Sequence, residues 1–160
     1  MGSSGMRSSG IDGPRLRHAG ALAKQAVAEI TVATRGRGFV DVTRAVRDAI
    51  GESGVAFGLA TVFCRHTSAS LTIQENADPD VTRDLLDALD HLAPRDAPYR
   101  HGAEGPDDMP AHIRTMLTDT SLAIPVVDGA LALGTWQGIY LVEHRDRPHR
   151  RELVVVVQGA

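Results

Sequence analysis

The chain has 160 residues, 42% of them apolar and 23% charged, which is the make-up of one ordinary globular domain. A net charge of -3 makes no case for a nucleic-acid partner, and no apolar run approaches the length of a membrane helix. The single cysteine, Cys64, excludes an intrachain disulfide, so an oxidising compartment is not implied, and a cytoplasmic protein is the expectation.

Residues 1–23 form an expected flexible segment. Its Gly/Ser-rich start, Met1 to Gly13, reads in part as added sequence. Residues 24–160 make one domain. Val27 to Thr34 alternates as a first strand, Gly36 and Gly38 mark a turn, and Phe39 to Val42 begins a second strand. Thr43 is placed to cap a short helix with Val46, Ala49 and Ile50 on one face, ended by Gly51 and Gly54. Val55 to Phe63 reads as a central strand holding Cys64 at its end as a small buried hydrophobe. Ala69 to Gln74 alternates as a half-exposed strand.

Asp78-Pro79 opens the clearest helix, with Val81, Leu85, Leu89 and Leu92 as its apolar stripe and Pro94 beyond its end. Asp107 or Asp108 then caps a third helix, with Ile113, Met116 and Leu117 expected to face inward. Ser121 to Val127 is a strand, and Asp128-Gly129 a hairpin turn. Leu131 to His144 reads as mostly strand, punctuated by Gly134 and Gly138, Arg145 to Arg151 as a basic loop, and Leu153 to Val157 as the last strand. Strands with helices inserted as a pair, rather than in strict alternation, predict an α+β fold with a largely antiparallel sheet.

The segment Tyr99 to His112 concentrates the chemistry. It carries His101, Glu104, Asp107, Asp108 and His112, broken by Gly102, Gly105, Pro106 and Pro110, and has almost no core-forming side chain. Those groups can bind a divalent metal or move protons. His101 and His112 are the metal-ligand candidates, with His66, at the end of an apolar strand, as the third donor. His66 is equally suited to a hydrogen bond at a sheet edge. Asp108 lies four residues before His112, one helical turn away, and can orient that imidazole, act as an acid–base group, or only cap the helix. Glu75 shares the parity of the apolar positions Ala69, Leu71 and Ile73. A carboxylate there is costly unless paired or ligand-bound; otherwise the strand ends at Gln74. The Arg145–Arg151 cluster suits a phosphate or a carboxylate, or else is a solvated hairpin end. Trp136 is expected in the core or a subunit contact first, and as a ligand wall second. His18, His91 and His144 receive no role.

Taken together, His66-Thr67-Ser68-Ala69, Glu75-Asn76-x-Asp78-Pro79, Tyr99-Arg100-His101, Glu104-Gly105-x-Asp107-Asp108-Met109-Pro110-Ala111-His112, Leu133-Gly134-Thr135-Trp136-Gln137-Gly138 and Glu143 resemble the YjbQ family over about Ala26 to Gln158. Gly102 departs from it, since relatives often carry Asn after the loop histidine. Members are described as secondary thiamine-phosphate synthases. The resemblance implies a β-sandwich-like α+β fold, a ring-shaped homotrimer with sites near subunit interfaces, and a secondary ability to join a pyrimidine diphosphate to a thiazole phosphate. On that reading His101, His112 and His66 hold a divalent metal, zinc first and magnesium second. Glu75 and Asp108 are the acid–base or orienting groups, and Asn76, Arg100 and Arg150 contact a small phosphorylated molecule. The alternatives are a metal-dependent hydrolase and a non-catalytic ligand-binding trimer.

Overall fold

The computed structural model describes residues 15, 16 and 18–160, so the expected disorder of Met1 to Gly13 lies outside the described residues. In chain order the elements are β1 (Lys24–Ala33), β2 (Gly38–Asp41), α1 (Thr43–Ser53), β3 (Gly58–Cys64), β4 (Ala69–Glu75), α2 (Pro79–Leu92), α3 (Asp108–Leu117), β5 (Ser121–Val127), β6 (Ala130–Leu131), β7 (Gln137–Glu143) and β8 (Arg150–Gly159). The strands form a five-stranded sheet in the order β1-β8-β3-β5-β6 and a three-stranded sheet in the order β2-β7-β4. Each of these pairings is antiparallel, as the α+β reading requires.

One core joins the sheets. Val32, Val62, Cys64, Leu153 and Val155 from the larger sheet meet Leu71, Ile139 and Leu141 from the smaller one, and Val46 and Ile50 of α1 close one side. In β8 alternate residues from Arg151 to Gly159 turn inward and are buried, the period-2 pattern of a strand with one covered face. The polar members at the β7–β8 end, Glu143, His144 and Arg151, are buried with them.

Local signals were obeyed where they were strongest. Asp78 caps α2 by accepting from the Asp80 N–H at 2.9 Å, with Pro79 in the first turn. Asp128 and Gly129 both have positive φ, 53° and 75°, the backbone of a type I′ hairpin between β5 and β6. Three expectations are corrected. Thr43 does not cap α1: its Oγ1 accepts from the Ile139 N–H at 2.8 Å, and Asp41 accepts from the Thr43 N–H instead. Leu131 to His144 is not one strand, because β6 and β7 belong to different sheets and the chain crosses between them around Gly134. The inner face of α3 is Pro110, Ala111 and Arg114, not Met116 and Leu117, which are exposed. Arg114 can sit there because it donates to Asp90 at 2.8 Å and to the Ala93 carbonyl at 3.1 Å. Trp136 is 64% exposed and takes no part in the core of the single chain.

Candidate metal centre

The turn Thr67-Ser68, the loop ending at Asp107 and the first turn of α3 meet beside the β7–β8 connection. Helical spacing puts Asp108 and His112 on one face of α3, and the preceding loop returns His101 to the same point. The Asp108 Oδ2 atom lies 2.7 Å from His101 Nε2 and 3.3 Å from His112 Nε2. The two imidazole rings stand 5.5 Å apart at 53°. His101, Asp108 and His112 present one ligand atom each, all within 4.8 Å of one another.

The hydrogen bonds fix what this trio needs. His112 Nδ1 lies 3.0 Å from the Thr67 carbonyl, an acceptor only, so Nδ1 carries the proton and donates it. Nε2 of a neutral His112 then presents a lone pair to the Asp108 carboxylate. Two acceptors facing each other at 3.3 Å call for a cation between them, a proton or a metal ion. The separation is close to the roughly 3.3 Å expected between ligands on a tetrahedral zinc with bonds of about 2.0–2.1 Å. A backbone carbonyl behind the imidazole is the usual outer support of a histidine metal ligand.

Arg145 organises the carboxylates. Its Nε donates to Asp107 Oδ2 at 3.0 Å, Nη1 to Asp108 Oδ1, and Nη2 to the Glu104 carbonyl at 2.9 Å. Asp107 also accepts from the Asp146 N–H at 3.0 Å, so although it occupies the cap position of α3 its side chain makes no capping bond. Burial alone would raise the pKa of Asp108. The hydrogen bond from His101 and the charge of Arg145 outweigh it and hold the carboxyl below its usual value. Asp107 is lowered in the same way, burial being outweighed by Arg145 and the Asp146 N–H. Asp108, with a side chain only 2% exposed, is therefore a buried ionised carboxylate with one oxygen committed to Arg145 and the other to the two imidazoles.

Beneath the centre lies a buried brace that sequence reasoning missed. Glu143 accepts from Arg151 Nη2 at 2.5 Å and Nε at 2.7 Å, from Thr34 Oγ1 at 2.9 Å and from the Arg145 N–H at 3.0 Å. Burial works to raise its pKa, and the Arg151 hydrogen bonds and charge bring it down. Arg151 Nη2 reaches on to the Ser68 oxygens, tying this pair to the turn whose Thr67 carbonyl holds His112. His144, fully buried, pairs through Nε2 with Ser70 Oγ at 2.8 Å. Burial, then the Arg114 charge, pushes it down to about 3, so it is a neutral structural group. Glu143 was legible only as part of a family motif, and no signal in the chain pointed to His144.

The remaining expected site residues do not join the trio within one chain. His66 Nε2 accepts from the Glu152 N–H at 2.8 Å, the sheet-edge role, and His66 stands outside the ligand cluster. Burial, then the Arg151 charge, lowers its pKa, which suits a neutral acceptor. Glu75 and Asn76 lie at the far end of β4, about 20 Å from its Ala69 end at 3.3 Å per residue. There they line a second cleft of about 320 Å³ with Phe39, Asp78, Thr82 and Tyr140. Arg100 is exposed beside His101. Arg150 is exposed at the start of β8 and is not among the residues lining the cleft next to the trio.

The family profile described as UPF0047 protein YjbQ-like matches residues 28–160. A UPF0047 protein of Synechocystis sp. is 55% identical over 131 residues, covering 81% of this chain and 89% of its own length. The UPF0047 protein YjbQ of Salmonella typhimurium is 43% identical over 131 residues, covering 81% and 95%. Among solved structures, an uncharacterized conserved protein of the YjbQ/UPF0047 family from Clostridium acetobutylicum superimposes with a TM-score of 0.76 at 46% identity, over 81% of this chain and 98% of that one. A hypothetical protein from Aeropyrum pernix K1 does so with a TM-score of 0.78 at 32% identity, over 84% and 99%.

Proposed function

The chain belongs to the YjbQ family, and from that premise we propose that it is a small homotrimeric, cytoplasmic metal-binding enzyme with secondary thiamine-phosphate synthase activity. The observation that carries the metal is the pair of acceptors, His112 Nε2 and Asp108 Oδ2, held face to face by bonds to Thr67 and Arg145. His101 completes a three-residue donor set of two imidazoles and a carboxylate, suited to zinc and less well to magnesium, which prefers oxygen ligands. No helix among the described residues is long and apolar enough to cross a membrane.

In the proposed reaction the thiazole nitrogen donates its lone pair to the pyrimidine methylene carbon. The bond from that carbon to the diphosphate oxygen breaks, and its electron pair leaves with diphosphate. A bound divalent ion would supply charge stabilisation for that leaving group. Asp108 orients the imidazoles and keeps the centre's charge low. Glu75 and Asn76 reach such a centre only from a neighbouring copy, since one chain holds them at the opposite end of the smaller sheet. Met116, Leu117 and Trp136 are exposed apolar side chains that a neighbour would cover. Arg100 and Arg150 are the exposed cations proposed for the phosphorylated substrates.

A metal-dependent hydrolase is the second reading. It is favoured by one observation: three protein donors leave a coordination position for water, the pattern of catalytic zinc. Incubating zinc-loaded protein with the two phosphorylated precursors separates the readings. Thiamine phosphate as the product supports the synthase. Phosphate released from either precursor alone, without coupling, supports the hydrolase.

A further inference from the structure

The Arg145 guanidinium is a shared wall. On one side it holds Asp108 of the metal trio, and on the other it lines a cleft of about 360 Å³ with Glu104, Asp107, Asp146, Arg147 and His149. Resting on the metal reading above, we propose that this cleft is a phosphoryl-binding subsite, read by Arg147 and His149, that takes its anion only once the adjacent centre holds a divalent ion.

The assignment follows from which cations are already used. Arg145 is spent on Asp107, Asp108 and the Glu104 carbonyl. Arg151 is spent on Glu143 and Ser68, and Arg95 on Asp146 through two contacts of 2.5 Å. Arg147 lines the cleft, is exposed, and has no side-chain partner among the described residues. His149 Nδ1 donates to the Arg147 carbonyl at 2.8 Å, which both shapes this turn and leaves Nε2 open. That nitrogen can accept from the hydroxyl of a phosphate monoanion or, once protonated, donate to a phosphate oxygen. A guanidinium with a free fork beside an imidazole is the chemistry of phosphate recognition, and the ligand class is a small molecule carrying a phosphate or diphosphate group.

Charge sets the order of binding. Asp146 is matched by Arg95, so the wall between cleft and centre holds three carboxylates, Glu104, Asp107 and Asp108, against two guanidiniums, Arg145 and Arg147. Leaving aside the proton or ion that the His112–Asp108 pair itself holds, that is one negative charge in excess, so nothing in the wall draws an anion. A divalent cation on His101, Asp108 and His112 turns it into one positive charge. Binding of ion and anion is therefore coupled, and by reciprocity the anion tightens the ion.

The test uses the full-length protein, loaded with zinc and freed of excess ion by gel filtration, with zinc content measured and inorganic phosphate titrated calorimetrically. The expected result is one phosphate per zinc-loaded chain, with binding at least tenfold weaker to the metal-free protein. Arg147→Ala should lower phosphate affinity about ten- to a hundredfold with zinc content unchanged. If zinc binds but Arg147→Ala takes phosphate as well as wild type, or Arg150→Ala weakens it where Arg147→Ala does not, the subsite is refuted and the metal centre stands. If zinc binds and wild type takes no phosphate, the result is the same. If no zinc binds, the metal centre fails, and the subsite with it, because its charge balance requires the ion.

Discussion

Replacing Arg145 by methionine keeps most of the side chain's length and removes the charge that holds the two neighbouring carboxylates. Four hydrogen bonds go: those to the two Asp107 oxygens, to Asp108 Oδ1 and to the Glu104 carbonyl. Charge-assisted bonds contribute roughly 1.5–3 kcal/mol each, and breaking a buried pair typically costs about 3–5 kcal/mol. Arg145 is 16% exposed and Asp107 12%, so water relieves part of the loss, and about 3 kcal/mol is expected. For a domain of this size that lowers the melting temperature by roughly 10 °C. The effect depends on pH with a definite sign. Asp107 and Asp108 have folded-state pKa values below the unfolded ones, so the stabilisation is present above the ordinary carboxylate range and is lost as pH falls through the lowered values. Urea unfolding of both proteins, at one fixed concentration and with metal chelated, should show the full gap at pH 7 and a shrinking gap in acid. A gap below about 1 kcal/mol at pH 7, or one that does not change with pH, would refute the role assigned to Arg145.

The remaining expectations concern assembly, turnover and the buried brace. Light scattering at micromolar concentration should give the mass of a homotrimer; a stable monomer would remove both the trimer and any site completed by Glu75 of a neighbour. Glu75→Gln, which keeps the shape and removes the charge, should lower turnover more than substrate binding in the coupling assay. Unchanged turnover would return Glu75 to a purely structural position. Glu143→Gln should cost roughly 3–5 kcal/mol, because it leaves Arg151 buried without its carboxylate. A melting temperature equal to that of wild type would show that the pair does not brace the site.

Features written in short stretches of sequence were legible. The Asp78-Pro79 helix start and the Asp128-Gly129 hairpin need only their own backbone, and both formed as expected. Asp108 and His112 could be paired because one turn of helix sets their distance, and His101 sits in the same loop. Features that depend on distant partners were not. His66 reads as a metal donor until β8 supplies the Glu152 N–H, 86 residues away. Arg145 reads only as one member of a basic cluster, open to a phosphate, a carboxylate or solvent, until the fold delivers Asp107 and Asp108 to it. The inner face of α3 was misjudged because hydrophobicity alone favours Met116 over Arg114. The arginine is buried only because Asp90 and the Ala93 carbonyl at the end of α2 receive it. Gly134 and Gly138 punctuate Leu131 to His144, but glycines alone do not tell a pause within one strand from a crossing between two sheets.

Whether His101, Asp108 and His112 form a metal centre is decided by metal content. The protein should be purified without chelator or nickel resin and assayed by elemental analysis beside His101→Ala and His112→Ala. These histidines are 47% and 33% exposed, so both variants should fold. One divalent ion per wild-type chain is expected, zinc first, with its loss from both variants, since two donors make an incomplete shell. Wild-type protein that takes up no divalent ion even when zinc is supplied, or variants that keep the full content, would contradict the metal centre.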